Sequence, residues 1–165
     1  MKKLFTSVIV SLLFLEAVPA FGQKPDFTGN WLMDKTKSTV VTDQPTMFKL
    51  QVKMTADSLL TLRIYERGDG QEYPFNENLG LDRREVNIII YDMPRKSRAG
   101  INESDGTLAF ESLTVFNTDS GTADFKSKEV WKIDREKKIL TIEFKNNMGG
   151  NETNGSWVYS KVAQL

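Results

Sequence analysis

From Asp26 onward the chain alternates. In MFKLQVKMT (residues 47–55), Phe48, Leu50, Val52 and Met54 stand between Lys49, Gln51, Lys53 and Thr55. An apolar residue at every second position marks a half-buried strand, whose successive side chains point to opposite faces of a sheet. LLTLRIYE carries the same period, with Leu60, Leu62 and Ile64 expected on the buried face and Thr61, Arg63 and Tyr65 on the wet one. Later, Leu140, Ile142 and Phe144 alternate with Thr141, Glu143 and Lys145. No segment after the N-terminal stretch offers a helical stripe.

Turn residues punctuate the pattern at Ala56-Asp57-Ser58, Gly68-Asp69-Gly70, Asp105-Gly106 and Asp134-Arg135-Glu136. Asp-Gly supplies the positive φ that tight hairpins demand. The pattern predicts strands over roughly 28–34, 47–55, 59–66, 71–76, 84–92, 95–103, 107–116, 122–134, 138–146 and 155–163. Eight to ten such strands, joined by hairpins, make an all-β antiparallel meander. Closing it into a barrel hides its edges. A two-sheet sandwich is the second choice, because its Greek-key connections are usually longer.

Two strands mix apolar with polar chemistry. In DFKSKEVWKI, Lys126, Lys128 and Lys132 share one face, which leaves Phe125, Ser127, Glu129, Trp131 and Ile133 on the other. An ionised carboxylate pointing inward is costly unless paired or solvated. Either the barrel holds water and a polar anchor, or Glu129 meets a cation, or the strand runs beyond the barrel with both faces wet. TLAFESLTVF likewise places Phe110, Ser112 and Phe116 on one face. In VNIIIYD, Ile88, Ile89 and Ile90 are apolar on both faces, so a loop or a second subunit is expected over the outer side, and a homodimer is possible.

Met1–Gly22 reads as a secretory signal. Lys2 and Lys3 precede an apolar run, and Ala20 and Gly22 place small residues at a cleavage site. The run is shorter than the ~20 residues a membrane helix needs, so no span is expected. Cleavage there would leave residues 23–165 as one exported domain, periplasmic or secreted. Removing Lys2, Lys3 and Glu16 from 22 basic and 22 acidic residues leaves 20 and 21. That balance argues against nucleic acid, which needs a basic footprint. With no Cys and no His, disulfides, redox chemistry, most metal sites and the usual general base are absent. No cofactor and no metal is expected, and catalysis would have to run on carboxylate, Lys, Tyr or Ser. Asp119 and Asp124 lack the spacing of a calcium loop. Arg67-Gly68-Asp69 spells an adhesion tripeptide of the kind that arises by chance in hairpin turns.

The first strand opens with DFTGNWLMDKTKS, in which Gly29-Asn30-Trp31 resembles the Gly-x-Trp of lipocalins and the wider calycin superfamily. The late EVWKIDREKKILTIE and the terminal WVYSKV resemble small exported bacterial proteins of lipocalin-like type. The resemblance implies a barrel whose narrow end is plugged by Trp31, with Gly29 beside it and a last-strand cation, here Lys161, across the indole. The Thr-Asp-Tyr motif and the flanking helix of lipocalins have no clear match, and Thr118-Asp119-Ser120 is a poor one. The ten strands also resemble the fatty-acid-binding branch. If Trp31 marks the closed end, hairpin counting puts 35–46, 117–121 and 147–154 at the open end. Val40 and Val41 then tip a candidate lid, and the Gly- and Asn-rich NNMGGNETNG forms a mobile loop.

The expected function is binding of a small apolar or amphipathic molecule inside the barrel, with Ser127, Glu129, Trp131, Phe110 and Phe144 as ligand-binding residues. The alternatives are a filled barrel acting through its loops as an interaction or inhibitor module, and a hydrolase or isomerase using Glu129 with Tyr159 or Lys161.

Overall fold

A computed structural model describes residues 25–41, 44–66, 70–118 and 121–165. The signal-like segment, Arg67-Gly68-Asp69 and Asp119-Ser120 lie outside the described residues. Ten strands follow one another: β1 (Gly29–Met33), β2 (Thr46–Met54), β3 (Ser58–Glu66), β4 (Glu72–Gly80), β5 (Val86–Ile90), β6 (Met93–Asn102), β7 (Thr107–Thr118), β8 (Gly121–Asp134), β9 (Ile139–Met148) and β10 (Asn151–Val162). They form one continuous antiparallel sheet, not a two-layer sandwich, in the order β4-β3-β2-β1-β10-β9-β8-β7-β6-β5. β1 therefore lies between β2 and β10, with Trp31 opposite both Leu50 and Lys161.

The barrel is nearly closed. β4 and β5 are the two ends of the sheet and share no ladder. Other groups span the gap. At the closed end, Asp82 bridges to Gly100 and the Arg83 N–H donates to the Ala99 carbonyl at 3.0 Å. At the open end, the Tyr91 hydroxyl donates to the Pro74 carbonyl at 2.6 Å, and Tyr91 meets Tyr73 edge-to-face. Pro74 sits on β4, and an edge strand is where a residue without an N–H does least harm to a ladder.

The alternation places side chains as expected along β7, β8 and β9: Phe110, Ser127, Glu129, Trp131, Leu140, Ile142 and Phe144 are buried, while Lys126, Lys128 and Lys132 are exposed. Two strands differ. On β3 the frame is inverted at most positions: Leu59, Thr61 and Arg63 are buried, Leu60 is 40 % exposed, and Tyr65 follows them inward, while Ile64 is buried as expected. On β2 the register shifts between Met47 and Lys49, so Met47 takes the fully buried place and Phe48 is half-buried under the Lys35 ammonium, 4.6 Å from its ring centre. A bulge of this kind adds one residue and re-aims the side chains beside it.

β4 runs on to Gly80, past the expected end near residue 76, and Glu77 thereby comes to lie inside. The expected mobile loop over 147–154 is instead a tight hairpin. Asn151 pairs with Met148 across Gly149 (φ 57°) and Gly150 (φ 94°), the two positive φ angles of a two-residue turn.

The narrow end is plugged by buried aromatic side chains. Trp31, Phe27 and Trp131 are fully buried, and Trp31 Nε1 donates to the Phe27 carbonyl at 2.9 Å. Phe27 meets Trp131 edge-on at 6.0 Å. The Lys161 ammonium lies 5.4 Å from the centre of the Trp31 ring and donates to the Thr28 carbonyl at 2.7 Å. A Cβ at position 29 would stand 2.5 Å from Lys161 Cε. Gly29 thus clears the path by which the lysine reaches the indole.

Candidate functional site

Above the plug the interior turns ionic. Arg63 of β3 donates through Nη1 to both carboxylate oxygens of Glu129, at 2.9 and 3.2 Å, and its Nε lies 3.1 Å from Glu77. Glu77 of β4 accepts in turn from Arg95 Nε at 2.8 Å, from Arg95 Nη2 at 3.3 Å and from Ser97 at 2.6 Å. Arg95 Nη1 donates to Thr114 at 3.0 Å, and Trp131 Nε1 to Glu129 at 2.7 Å. Two guanidinium groups and two carboxylates thus alternate in a buried chain, and their charges cancel. The Arg63 guanidinium also stacks on Phe110, 3.9 Å from the ring centre.

Burial opposes the charge on each of these groups, and the alternation overcomes it. Burial pushes Glu77 toward its neutral form, but Arg63 and Arg95 outweigh it, and the carboxyl titrates below its ordinary range. For Arg63 the carboxylates likewise win over burial, which keeps it charged. The network also laces the β4–β5 gap, since Glu77 ties β4 to β6 where no ladder does. Burial raises the pKa of the Tyr65 phenol beside it, against the pull of Arg63.

Over this ionic floor the barrel opens into a cavity of about 170 Å³. Tyr65, Tyr73 and Phe75 of β3 and β4 form one wall; Ile90, Tyr91 and Met93 form the second; Phe116, Phe125 and Met148 of β7, β8 and β9 close the third. Arg95 and Thr114 give it a polar base. These residues cluster at the end opposite Trp31, as the hairpin count requires. Tyr91 holds φ at 48°. That is unusual for an aromatic residue, and such strain gathers where a side chain must be aimed.

None of Ser127, Glu129, Trp131, Phe110 and Phe144 lines this cavity. Glu129, Trp131 and Phe110 belong to the ionic floor and the core below it. Phe144 stacks on Trp157 at 4.3 Å. Ser127 is buried one inward step beneath Phe125. Glu129, Tyr159 and Lys161 are each committed elsewhere: Glu129 to Arg63 and Trp131, Tyr159 to the Met47 carbonyl at 2.6 Å, and Lys161 to the outer side of the closed end.

The lid expectation is corrected. Ser38 and Thr39 dock along β10, where Ser38 Oγ accepts from the Val158 N–H at 2.8 Å and the Thr39 N–H donates to the Ser156 carbonyl at 2.7 Å. Val41 packs against the core and Val40 is 53 % exposed. Of the described residues in this loop, Pro45 reaches the cavity. Among the described residues no loop covers the outer side of β5 either, and Ile89 is 74 % exposed.

The sequence reading passed over Arg95, Glu77 and most of the cavity wall. The one signal for the ionic layer was Glu129 on an inward face, which required a cation somewhere. Among the described residues no group of three or more His, Cys, Asp or Glu side chains is arranged to hold a metal, and no helix is long and apolar enough to cross a membrane. No family model, curated protein or solved structure matches this chain.

Proposed function

We propose that this is an exported, lipocalin-like binding protein that holds a small apolar or amphipathic molecule in the open-end cavity. The observation that carries the reading is the cavity itself. Eight aromatic or thioether side chains converge on one open space, while the interior at the opposite end of the same barrel is filled by Phe27, Trp31 and Trp131. Apolar side chains that fail to meet one another at a barrel mouth leave surface to be covered, and a ligand is the means of covering it. The size bounds the ligand. An apolar cavity of about 150 Å³ holds one benzene molecule, so about 170 Å³ takes one ring or a short stretch of chain, with the rest of the molecule outside. The Gly-x-Trp with its lysine supports the lipocalin-like assignment, and the signal-like Met1–Gly22 supports export.

A neutral fluorescent probe tests the reading. N-phenylnaphthylamine should brighten on binding, and Met93→Lys, which places a charge in the wall, should weaken it by roughly tenfold or more while the melting temperature holds. Equal binding by both proteins would remove the cavity as the site. A second reading, an interaction module working through its surface, has its own observation: Ile89 and Tyr91 stand exposed at the sheet edge. It predicts no uptake of the probe by either protein.

A further inference from the structure

A row of polar side chains lies beneath the cavity. Ser112 of β7 pairs in register with Ser127 of β8, and Ser127 with Asn146 of β9. All three face inward and are buried, at 7, 6 and 3 % exposure. They stand two residues below Thr114, Phe125 and Met148 of the cavity wall, which is about 7 Å deeper at ~3.4 Å per residue. Ser112 Oγ and Asn146 Oδ1 are buried without a hydrogen-bond partner. So is Thr61 Oγ1 on β3. Buried hydroxyl and amide groups are nearly always bonded, so atoms left over beside an open cavity are the groups a ligand would satisfy.

The charges next to this row balance one another. Arg95 gives Nε and Nη2 to Glu77 and Nη1 to Thr114. Arg63 holds Glu129 through Nη1 and faces Glu77 through Nε, while its Nη2 is left without a hydrogen-bond partner, a donor open to a neutral oxygen. A ligand carboxylate would find each guanidinium already neutralised and a carboxylate within 3 Å of it, and a ligand ammonium would find the carboxylates taken. An extra charge buried among balanced pairs has no partner.

From the unpartnered row and the balanced charges we infer that the cavity receives its ligand polar end first, and that this end is uncharged: a hydroxyl or an amide N–H carried on an apolar body. The inference rests on the binding function proposed above. The hydroxyl passes Phe116 and Phe125, reaches Ser112 and Asn146, and donates to the free Asn146 oxygen, while the apolar body fills the aromatic walls.

Displacement of N-phenylnaphthylamine by compounds sharing one tail separates the possibilities. Octanol should displace the probe at roughly tenfold lower concentration than octyl chloride, whereas an apolar cavity without a head site prefers the more hydrophobic chloride. Octanoate and octylammonium should be weaker than octanol. Ser112→Ala with Asn146→Leu should reverse the order of octanol and chloride, keep the affinity for the probe, and leave the protein folded, because it removes the two unbonded oxygens, Ser112 Oγ and Asn146 Oδ1. Should that pair fail to fold, Ser112→Ala alone should lose part of the octanol preference. A chloride as tight as octanol, an octanoate tighter than either, or variants that keep the preference would overturn the inference while leaving the cavity as a binding site. A protein that takes up neither the probe nor any octyl compound would overturn the binding function together with it.

Discussion

At Arg63 the hydrophobic pattern points the wrong way, and the reason is physical. LLTLRIYE offers two frames, one facing Leu60, Leu62 and Ile64 inward and the other Leu59, Thr61, Arg63 and Tyr65. Apolar count favours the first. The interior at this height is ionic, so the second is adopted and Leu60 is left exposed. Glu129 was legible because three lysines on its own strand fix the parity. Its partner was not, because Arg63 lies 66 residues away in sequence. The pairing leads to an asymmetric expectation. Glu129→Gln should destabilise the protein by ~3–5 kcal/mol, since a buried guanidinium is left short of charge. Arg63→Met combined with Glu129→Gln should recover much of that loss, because Glu77 and Arg95 remain as a balanced pair. Urea unfolding of the single and double variants measures the difference, and a double variant no better than the single would show that the two sides are uncoupled.

Elements were more legible than their ends. All ten strands follow from period-two alternation and turn chemistry, but β4 was cut short because NENLG has the composition of a turn. Its polar Glu77 belongs inside only because Arg63 and Arg95 arrive from β3 and β6, which no local pattern announces. The aromatic wall was missed for a related reason: Tyr65, Tyr73, Phe75 and Tyr91 come from two strands and a turn, and only the barrel gathers them. The glycine-rich segment before β10 erred in the other direction, since composition read as mobility where geometry makes a tight turn. Position by position, the turn should discriminate. Gly149→Asn should be tolerated within ~0.5 kcal/mol, because Asn-Gly suits a turn with two positive φ angles. Gly150→Val should cost ~1–2 kcal/mol, as a β-branched residue is forced into the left-handed region. Thermal melts of the two variants decide, and equal loss in both would place the hairpin's stability elsewhere.

Across the whole molecule, the ionisable groups with resolved shifts set the pH range of stability. Asp34 is lowered to about 2 by hydrogen bonds from Lys37 and Thr36. Asp105 and Asp134 are lowered by the backbone N–H groups of Thr107 and Lys137. Glu77 is lowered by its two arginines in spite of burial. A carboxyl depressed in the folded state contributes stability above its unfolded value, 3.8 for Asp and 4.5 for Glu, and that contribution is lost as pH falls through the folded value. Tyr159 shifts the opposite way: burial, with Tyr65 and Glu129 adding to it, raises its phenol well above 10.0. Its contribution is present below that unfolded value and is lost as pH climbs through the folded one. No histidine or cysteine titrates between these limits. The melting temperature should therefore stay level from about pH 5.5 to 8.5 and fall below about pH 4. A transition midway, near pH 6.5, would contradict this charge layout.

The place of β1 between β2 and β10 has a consequence in time. Strands β1 to β4 are linked by consecutive hairpins, and so are β5 to β10; each run can zip up from local contacts. The two runs meet through a single ladder, in which Asn30 faces Val162. Until β10 docks, β1 has a neighbour on one side only, and Trp31 has no lysine to lie beneath. The barrel is thus the last thing to form rather than the first. Its ionic floor, which draws Arg63 from the early run and Glu129 from the late one, comes together in that same final step.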